Sequence, residues 1–225
     1  MSHLKRISSS KRTSLERKGT TFLTCQSPGT HRKGESMALN VVMRDVLGLV
    51  DTTREAKKAL HSEMVLVNGV PKKDHRLSVG FLDEITFTSS KDTYIMVYNT
   101  LGKLELKKQD KKVTRAMKII GKKILAKGKV QLNLFTGKNI ILDKKADYSV
   151  GDSVVVDKEK VTKHLKFEKG AKVFLTSGKH IGHNGVIEEI TETESWLQSK
   201  KILVKTKNGT FETSKECAYV LDGEL

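Results

Sequence analysis

The chain has 225 residues, of which 37% are hydrophobic and 5% aromatic, and 42 Lys and Arg residues against 26 Asp and Glu residues give a net charge of +16. This length allows one to three small domains, and the charge is typical of proteins with a polyanionic partner. No run has membrane-spanning length, no signal peptide is visible, and the distant Cys25 and Cys217 predict two thiols in a reducing cytoplasm.

The positive charge is unevenly distributed along the chain. Residues 1–36 carry +6 and residues 101–166 carry +11, whereas residues 37–100 are neutral and residues 167–225 carry −1. Because the first 36 residues have few apolar side chains, they should form a basic N-terminal arm that orders only on its partner. A flexible tail without a binding role is the alternative.

The segment 37–92 predicts two helices followed by a hairpin and a closing strand. Apolar residues at spacings of three and four predict a first helix over residues 39–48. A capping box formed by Thr52 and Glu55 predicts that the second helix begins at Thr53.

Four basic residues at positions i, i+3, i+4 and i+7 of the second helix share one edge. These residues are Arg54, Lys57, Lys58 and His61. The opposite edge carries small apolar residues that we expect to be buried. The basic edge predicts a phosphate-binding surface, and an ordinary solvated helix face is the alternative.

The dipeptide Asn68-Gly69 is the strongest short signal for a tight hairpin turn. The return strand contains Pro71, which cannot donate to a ladder, so this strand should be short or at a sheet edge. Residues 84–87 should form the strand that closes the module.

The segment 93–166 predicts a Lys-rich, β-rich central domain. A hairpin is expected over residues 94–106, a second over residues 130–142, and a further strand over residues 153–156. Short strands at this spacing indicate a small barrel or sandwich.

The segment 167–225 contains a glycine-rich loop between two strands. Gly178, Gly182 and Gly185 should adopt positive φ angles that tighten the loop. A strand follows the glycines, so a dinucleotide-binding loop, which requires a helix there, is excluded. A metal site at His180 and His183 is disfavoured because nothing supplies a third ligand.

These segments resemble known RNA-binding families. The pattern "VVMRDVLGLVDTTREAKKAL…VLVNG…VGFLDEITF" closely resembles the S4-type RNA-binding domain, and "SGKHIGHNG" between two strands resembles the KOW motif. Their order, together with "HLKR", "GFLD" and "KGKVQLNL", is similar over essentially the whole chain to the S4e family of the archaeal and eukaryotic small ribosomal subunit.

The resemblance implies an α+β multidomain protein in four parts. They are a basic arm (1–36), an S4-like module (37–92), a barrel-like central domain (93–166) and a KOW small β-barrel (167–225). The expected function is structural: binding of small-subunit ribosomal RNA beside neighbouring ribosomal proteins in the cytoplasm, without cofactor, metal or membrane.

Ten residues are the candidate RNA contacts. They are Arg44, Arg54, Lys57, Lys58, His61, Lys72, Lys73, Lys179, His180 and His183. An accessory chain of an RNA-modifying enzyme and a KOW-type regulator outside the ribosome are the alternative functions. An enzyme is disfavoured because no activated nucleophile, paired-carboxylate cleft or cofactor-binding βαβ unit is visible.

Overall fold

The computed structural model describes residues 3–109, 115–143, 147–157, 160–191, 200–206 and 209–223. The described chain is rich in β-strands and has few helices, in agreement with the predicted fold class at this level. It divides into two compact units. The first comprises Met1–Asn99 and Lys103–Val113, and the second comprises Thr100–Gly102 and Thr114–Leu225.

The described residues of the first unit form nine strands, two longer helical segments and two short 3₁₀ helices (Arg6–Ser8 and Lys33–Glu35). In chain order the strands and longer helical segments are β1 (Leu4–Lys5), β2 (Phe22–Leu23), β3 (Ser36–Ala38), α1 (Leu39–Val41) with a π-helical continuation (Val42–Val46), α2 (Thr53–His61), β4 (Val65–Val67), β5 (Val70–Pro71), β6 (Ser78–Gly80), β7 (Glu84–Phe87), β8 (Thr93–Tyr98) and β9 (Leu104–Gln109).

The first helical segment is short because its backbone widens after one turn. The Leu47 N–H donates to the Val42 carbonyl, five residues earlier, at 3.0 Å, which is π-helical geometry. Gly48 then ends the segment with a φ of +62°. The helix predicted over residues 39–48 is therefore present, but half of it is not an α-helix.

Strands β4, β5, β7, β8 and β9 form an antiparallel sheet in the order β5-β4-β7-β8-β9. Pro71 lies in the outermost strand, as its missing N–H requires. Glu84 of β7 pairs with Ile95 of β8, so the hairpin from 93 to 109 extends this sheet. We expected a domain boundary at 92/93. The pairing of β7 with β8 overturns this boundary. It is favourable because an exposed β7 edge would leave a row of backbone N–H and C=O groups unpaired.

Residues 3–36 belong to the first unit and pack within it, whereas the sequence predicted an arm that orders only on its partner. Leu23 and Cys25 are buried, and β1 pairs with β2. Arg6 is only 9% exposed, and its guanidinium contacts Thr20 Oγ1 at 2.8 Å and Asp45 Oδ1 at 3.1 Å. Hydrogen bonds and an ion pair between polar side chains hold this segment in place. The scarcity of apolar residues gave no indication of these contacts.

Ten strands are present in the part of the second unit that the structure describes. They are β10 (Ala116–Ile124), β11 (Lys129–Leu134), β12 (Asn139–Asp143), β13 (Ser153–Asp157), β14 (Lys160–Leu165), β15 (Lys172–Leu175), β16 (Asn184–Thr191), β17 (Lys201–Thr206), β18 (Gly209–Ser214) and β19 (Ala218–Val220).

Two antiparallel sheets organise this unit, in the orders β12-β11-β10-β13-β14 and β18-β17-β16-β15-β19. The predicted hairpin over residues 130–142 is present as β11 and β12, and the predicted strand over 153–156 is present as β13. Each sheet has its own apolar core, because alternate residues of each strand point to one face.

A tyrosine joins the two sheets of the second unit. The buried Tyr219 hydroxyl donates to the Ala116 carbonyl at 2.9 Å and accepts from the Lys118 N–H at 3.0 Å. The sheets therefore belong to one compact unit, although the sequence predicted a boundary between 166 and 167. No helix among the described residues is long and apolar enough to cross a membrane, and neither cysteine forms a disulfide.

Candidate nucleic-acid interface

Helix α2 begins where the capping box predicted. Thr52 Oγ1 accepts the Glu55 N–H at 3.3 Å, and Glu55 Oε2 accepts the N–H groups of Asp51 at 3.0 Å and Thr52 at 3.4 Å. The Asp51 backbone donor, followed by the bonds to Thr52, lowers the pKa of Glu55. The reciprocal bonds satisfy backbone donors at the helix start and thereby fix where α2 begins.

The predicted basic edge of α2 is exposed. Ala56 and Leu60 are fully buried on the opposite side. Arg54, Lys57, Lys58 and His61 are exposed, and none forms an ion pair with another described residue. Unpaired cations on one edge can neutralise phosphates without first breaking an internal salt bridge.

His75 is a half-buried histidine near the candidate edge that the sequence did not single out. Partial burial, followed by the positive charge of Lys57, lowers the pKa of His75, against a raising effect of Asp74. Its Nδ1 lies 3.7 Å from Asp74 Oδ1. A lowered pKa favours the neutral ring, so His75 adds no cation to the edge of α2.

The remaining candidate residues of the first unit differ in their availability. Arg44 is engaged: its Nη2 contacts Asp45 Oδ2 at 2.8 Å, and its Nη1 contacts Thr53 Oγ1 at 3.2 Å. Lys73 is exposed but pairs with Glu63 at 3.2 Å, and Lys72 is half-buried. These three residues therefore offer less unpaired charge than the edge of α2 does.

The Asn68-Gly69 turn is present, and the side chain of Asp83 hydrogen-bonds to it. Asn68 and Gly69 have φ angles of +55° and +75°, as a type I′ turn requires. The buried Asp83 carboxylate contacts Asn68 Nδ2 at 2.9 Å, the Gly80 N–H at 3.0 Å and His31 Nε2 at 2.8 Å. Asp83 thus links the turn to the N-terminal segment, a role that the motif "GFLD" alone did not reveal.

The glycine-rich loop of the second unit is tightened at two of its three glycines. Gly178 and Gly182 have φ angles of +88° and +83°, as predicted. Gly185 does not, so the prediction for it was wrong. Its role is steric: a Cβ there would lie 2.5 Å from Val204 Cγ1 and 2.7 Å from the Lys205 carbonyl oxygen. Gly185 therefore lets β17 approach β16 closely.

The loop presents one exposed lysine beside a stacked histidine. Lys179 is exposed, and the His180 ring stacks on Phe211 with centroids 3.8 Å apart and an interplanar angle of 17°. His183 is half-buried, and its carbonyl accepts the Leu175 N–H at 3.0 Å. No cluster of His, Cys, Asp and Glu suited to a metal ion occurs in the described part of the chain.

Comparisons with known proteins agree with the sequence and the fold. The model of the ribosomal family S4e matches residues 90–162. The small ribosomal subunit protein eS4 of Methanosphaera stadtmanae is 39% identical over 223 residues, which cover 97% of this chain and 91% of that protein. The eS4 protein of Methanococcus maripaludis is 32% identical over 229 residues, with coverages of 97% and 93%.

Solved structures agree as well. The crystal structure of the 30S ribosomal protein S4e from Thermoplasma acidophilum superposes with a TM-score of 0.69 at 30% identity. The match covers 83% of this chain and 94% of that protein. With relatives above 30% identity over nearly its whole length, this chain belongs to the S4e family of ribosomal proteins.

Proposed function

We propose that this chain is a structural constituent of the small ribosomal subunit, where it binds and stabilises folded ribosomal RNA beside neighbouring ribosomal proteins in the cytoplasm. S4e is a family of structural ribosomal proteins, not of enzymes, and the related proteins carry the name of the small subunit. The observation that carries the RNA-binding part is the exposed basic edge of α2.

The edge of α2 suits a phosphate backbone for two reasons. Its basic side chains form no ion pair with another described residue, so binding exchanges small counterions for phosphates without first breaking such a pair. The helix is also anchored by the buried Ala56 and Leu60 and by its capping box, so the cations are presented on a rigid support. Residues 37–92 would then act as an S4-like module, with Lys72, Lys73 and Arg44 as secondary contacts.

The second unit would supply a separate RNA contact. In this proposal, its residues 114–166 supply the largest share of the positive charge, and residues 167–225 act as a KOW barrel whose loop carries Lys179, His180 and His183. The stacked His180 is held against Phe211, so the loop would meet RNA with little further ordering. Shape and phosphate contacts would dominate, because few aromatic residues are available for base stacking.

Charge reversal on α2 tests the proposed function. The double variant Arg54→Glu/Lys58→Glu should bind small-subunit rRNA more weakly, and its plot of log affinity against log salt should flatten by about 0.7–0.9 for each phosphate that is no longer neutralised. The matched control is Lys91→Glu/Lys103→Glu, which changes the charge equally at exposed positions of the same unit. Equal weakening in the two variants would show that only a diffuse positive field attracts the RNA.

The place of action is tested in cell extract. The chain should sediment with small subunits at one copy per subunit, and it should leave them only at high salt. A chain that sediments alone would instead indicate a regulator that works outside the ribosome.

A further inference from the structure

A cavity of about 340 Å³ lies in the first unit between the N-terminal segment and the residues that precede α1. Its apolar floor includes Leu4, Leu15, Leu23 and Val41, which belong to one hydrophobic cluster. The polar part of the lining consists of hydroxyl-bearing residues, Gln26 and Lys33. Apolar walls with a few polar groups are the usual composition of a binding site for a flat organic group.

Three hydroxyl groups of the lining donate to backbone carbonyls. Ser8 Oγ donates to the Lys5 carbonyl at 2.8 Å, Ser10 Oγ donates to the Gly34 carbonyl at 2.7 Å, and Thr13 Oγ1 donates to the Ser10 carbonyl at 2.7 Å. Ser10 Oγ also accepts the Arg12 N–H at 3.2 Å, so the remaining acceptor capacity lies mainly at Ser8 and Thr13. These oxygens suit a ligand that donates N–H groups, and Lys33 adds a donor to the same lining.

The walls are held in place before any ligand binds. Arg12 Nη1 contacts Glu35 Oε1 at 2.8 Å, which joins the residues around Ser10 and Thr13 to those around Lys33 and Gly34. Gln26 Nε2 donates to the carbonyls of Lys33 and Ser36, and the Leu104 N–H donates to the Arg12 carbonyl at 2.6 Å. A preformed cavity costs little ordering entropy when it is filled.

The surrounding charge favours a polyanion. The segment 1–36 carries +6, and the exposed Lys5 and Lys11 lie next to cavity-lining residues in sequence. We propose that this cavity receives one unstacked base of the ribosomal RNA, a base with an exocyclic amino group, while the nearby lysines bind its flanking phosphates. Unpaired bases that leave the stack are the usual targets of base-specific RNA recognition.

The proposal rests on the proposed function and adds a base-reading site to it. Adenine and cytosine are the amino-bearing bases whose pairing edge dimethyl sulfate reports, and their amino groups would meet the acceptor oxygens of Ser8 and Thr13. Uracil has no amino group to meet these oxygens. A side chain of a neighbouring ribosomal protein is the competing occupant, and its fit to the basic surroundings is poorer.

The test uses the full-length protein and full-length small-subunit rRNA. Ser9→Trp places an indole where Ser9 lines the cavity, and Ser14→Trp is the matched control, because Ser14 is exposed and does not line it. In the wild-type and Ser14→Trp complexes, one adenine or cytosine should be protected from dimethyl sulfate. In the Ser9→Trp complex that protection should disappear, with about tenfold weaker binding, equivalent to about 1.4 kcal/mol.

A second measurement does not depend on any variant folding correctly. Ultraviolet irradiation of the wild-type complex, followed by mass spectrometry, should give a nucleotide adduct on a peptide within residues 4–41. An adduct map without this segment, or unchanged protection and affinity in Ser9→Trp, would overturn the cavity proposal while leaving the proposed function intact.

Two other outcomes are equally informative. If Ser9→Trp binds rRNA normally but fails to enter subunits, a protein side chain occupies the cavity and the base is excluded. If the wild-type chain does not bind small-subunit rRNA, the proposed function fails and the cavity proposal fails with it.

Discussion

Lys118 holds a charge in the interior of the second unit, which should make the stability of that unit depend on pH. Its Nζ donates to the carbonyl oxygens of Glu216 and Ala218, both at 2.7 Å, and lies 3.4 Å from that of Lys215. Burial, together with the positive charge of Lys215, lowers the pKa of Lys118 to about 8, although Cys217 and Glu216 oppose this effect.

The sign of the pH dependence follows from where the proton is bound. Between pH 8 and 10.5 the unfolded chain keeps a proton on Lys118 that the folded chain has released. The free energy of unfolding therefore rises with pH in this window, by up to about 1.4 kcal/mol per pH unit. Below about pH 8 Lys118 is charged in both states, so the folded chain carries the full free-energy cost of burying the charge. Across the window the free energy of unfolding changes by at most about 3 kcal/mol.

The variant Lys118→Met isolates this contribution. Urea unfolding of the full chain, followed by circular dichroism between pH 7.5 and 10.5, gives the difference in free energy of unfolding between wild type and variant. Titrating groups that do not interact with Lys118 cancel in this difference, which should move in favour of the wild type by about 2–3 kcal/mol as the pH rises. Lys123→Met is the control, because Lys123 is exposed on the same strand.

A difference that does not change with pH would refute the reasoning. It would mean that the three carbonyl oxygens stabilise the ammonium group enough to offset its loss of hydration. A difference that moves in favour of the variant as the pH rises would reverse the conclusion, because the pKa of Lys118 would then be raised in the folded chain.

Two further predictions concern positions that the structure explains. Gly185→Ala should destabilise the β16–β17 pair by about 1–3 kcal/mol through overpacking, which would appear as faster hydrogen exchange in residues 184–206. The control Gly223→Ala should be neutral, because nothing lies within 4 Å of a Cβ at that position. Equal effects of the two variants would contradict the steric argument. Asp83→Ala should lower the free energy of unfolding by about 3–5 kcal/mol in a thermal unfolding assay, because the donors that Asp83 accepts from would lose their partner. In the same assay Asp222→Ala, which removes an exposed ion pair, should lower it by less than about 1 kcal/mol.

The sequence predicted elements whose cause is local. The capping box at Thr52 and Glu55 and the Asn68-Gly69 turn each depend on residues within four positions of one another. The exposed edge of α2 follows from the helical period once the helix start is known. These features needed no knowledge of the rest of the chain, and they supplied most of the candidate interface.

Features with distant causes were predicted poorly. The first unit extends to residue 113, because β8 pairs with β7, and nothing in residues 84–98 distinguishes a sheet continuation from a new domain. His31 bonds to Asp83 across 52 positions, and Arg6 to Asp45 across 39. The N-terminal segment is rich in polar residues and poor in apolar ones, so its composition indicated disorder. The partners of those polar residues lie far away in the sequence, and the composition could not show them.

The glycines of the KOW-like loop show why even a correct motif leaves the physical reason open. Gly178 and Gly182 are required by backbone conformation, since their φ angles of +88° and +83° disfavour any other residue. Gly185 has an ordinary φ and is required by the space that Val204 and Lys205 occupy. One residue type meets two different needs in eight positions, and only the position of the partner strand separates them. The same limit applies to the cavity beside β1: its lining residues are scattered from 4 to 41, so no pattern in the sequence could have indicated a site there.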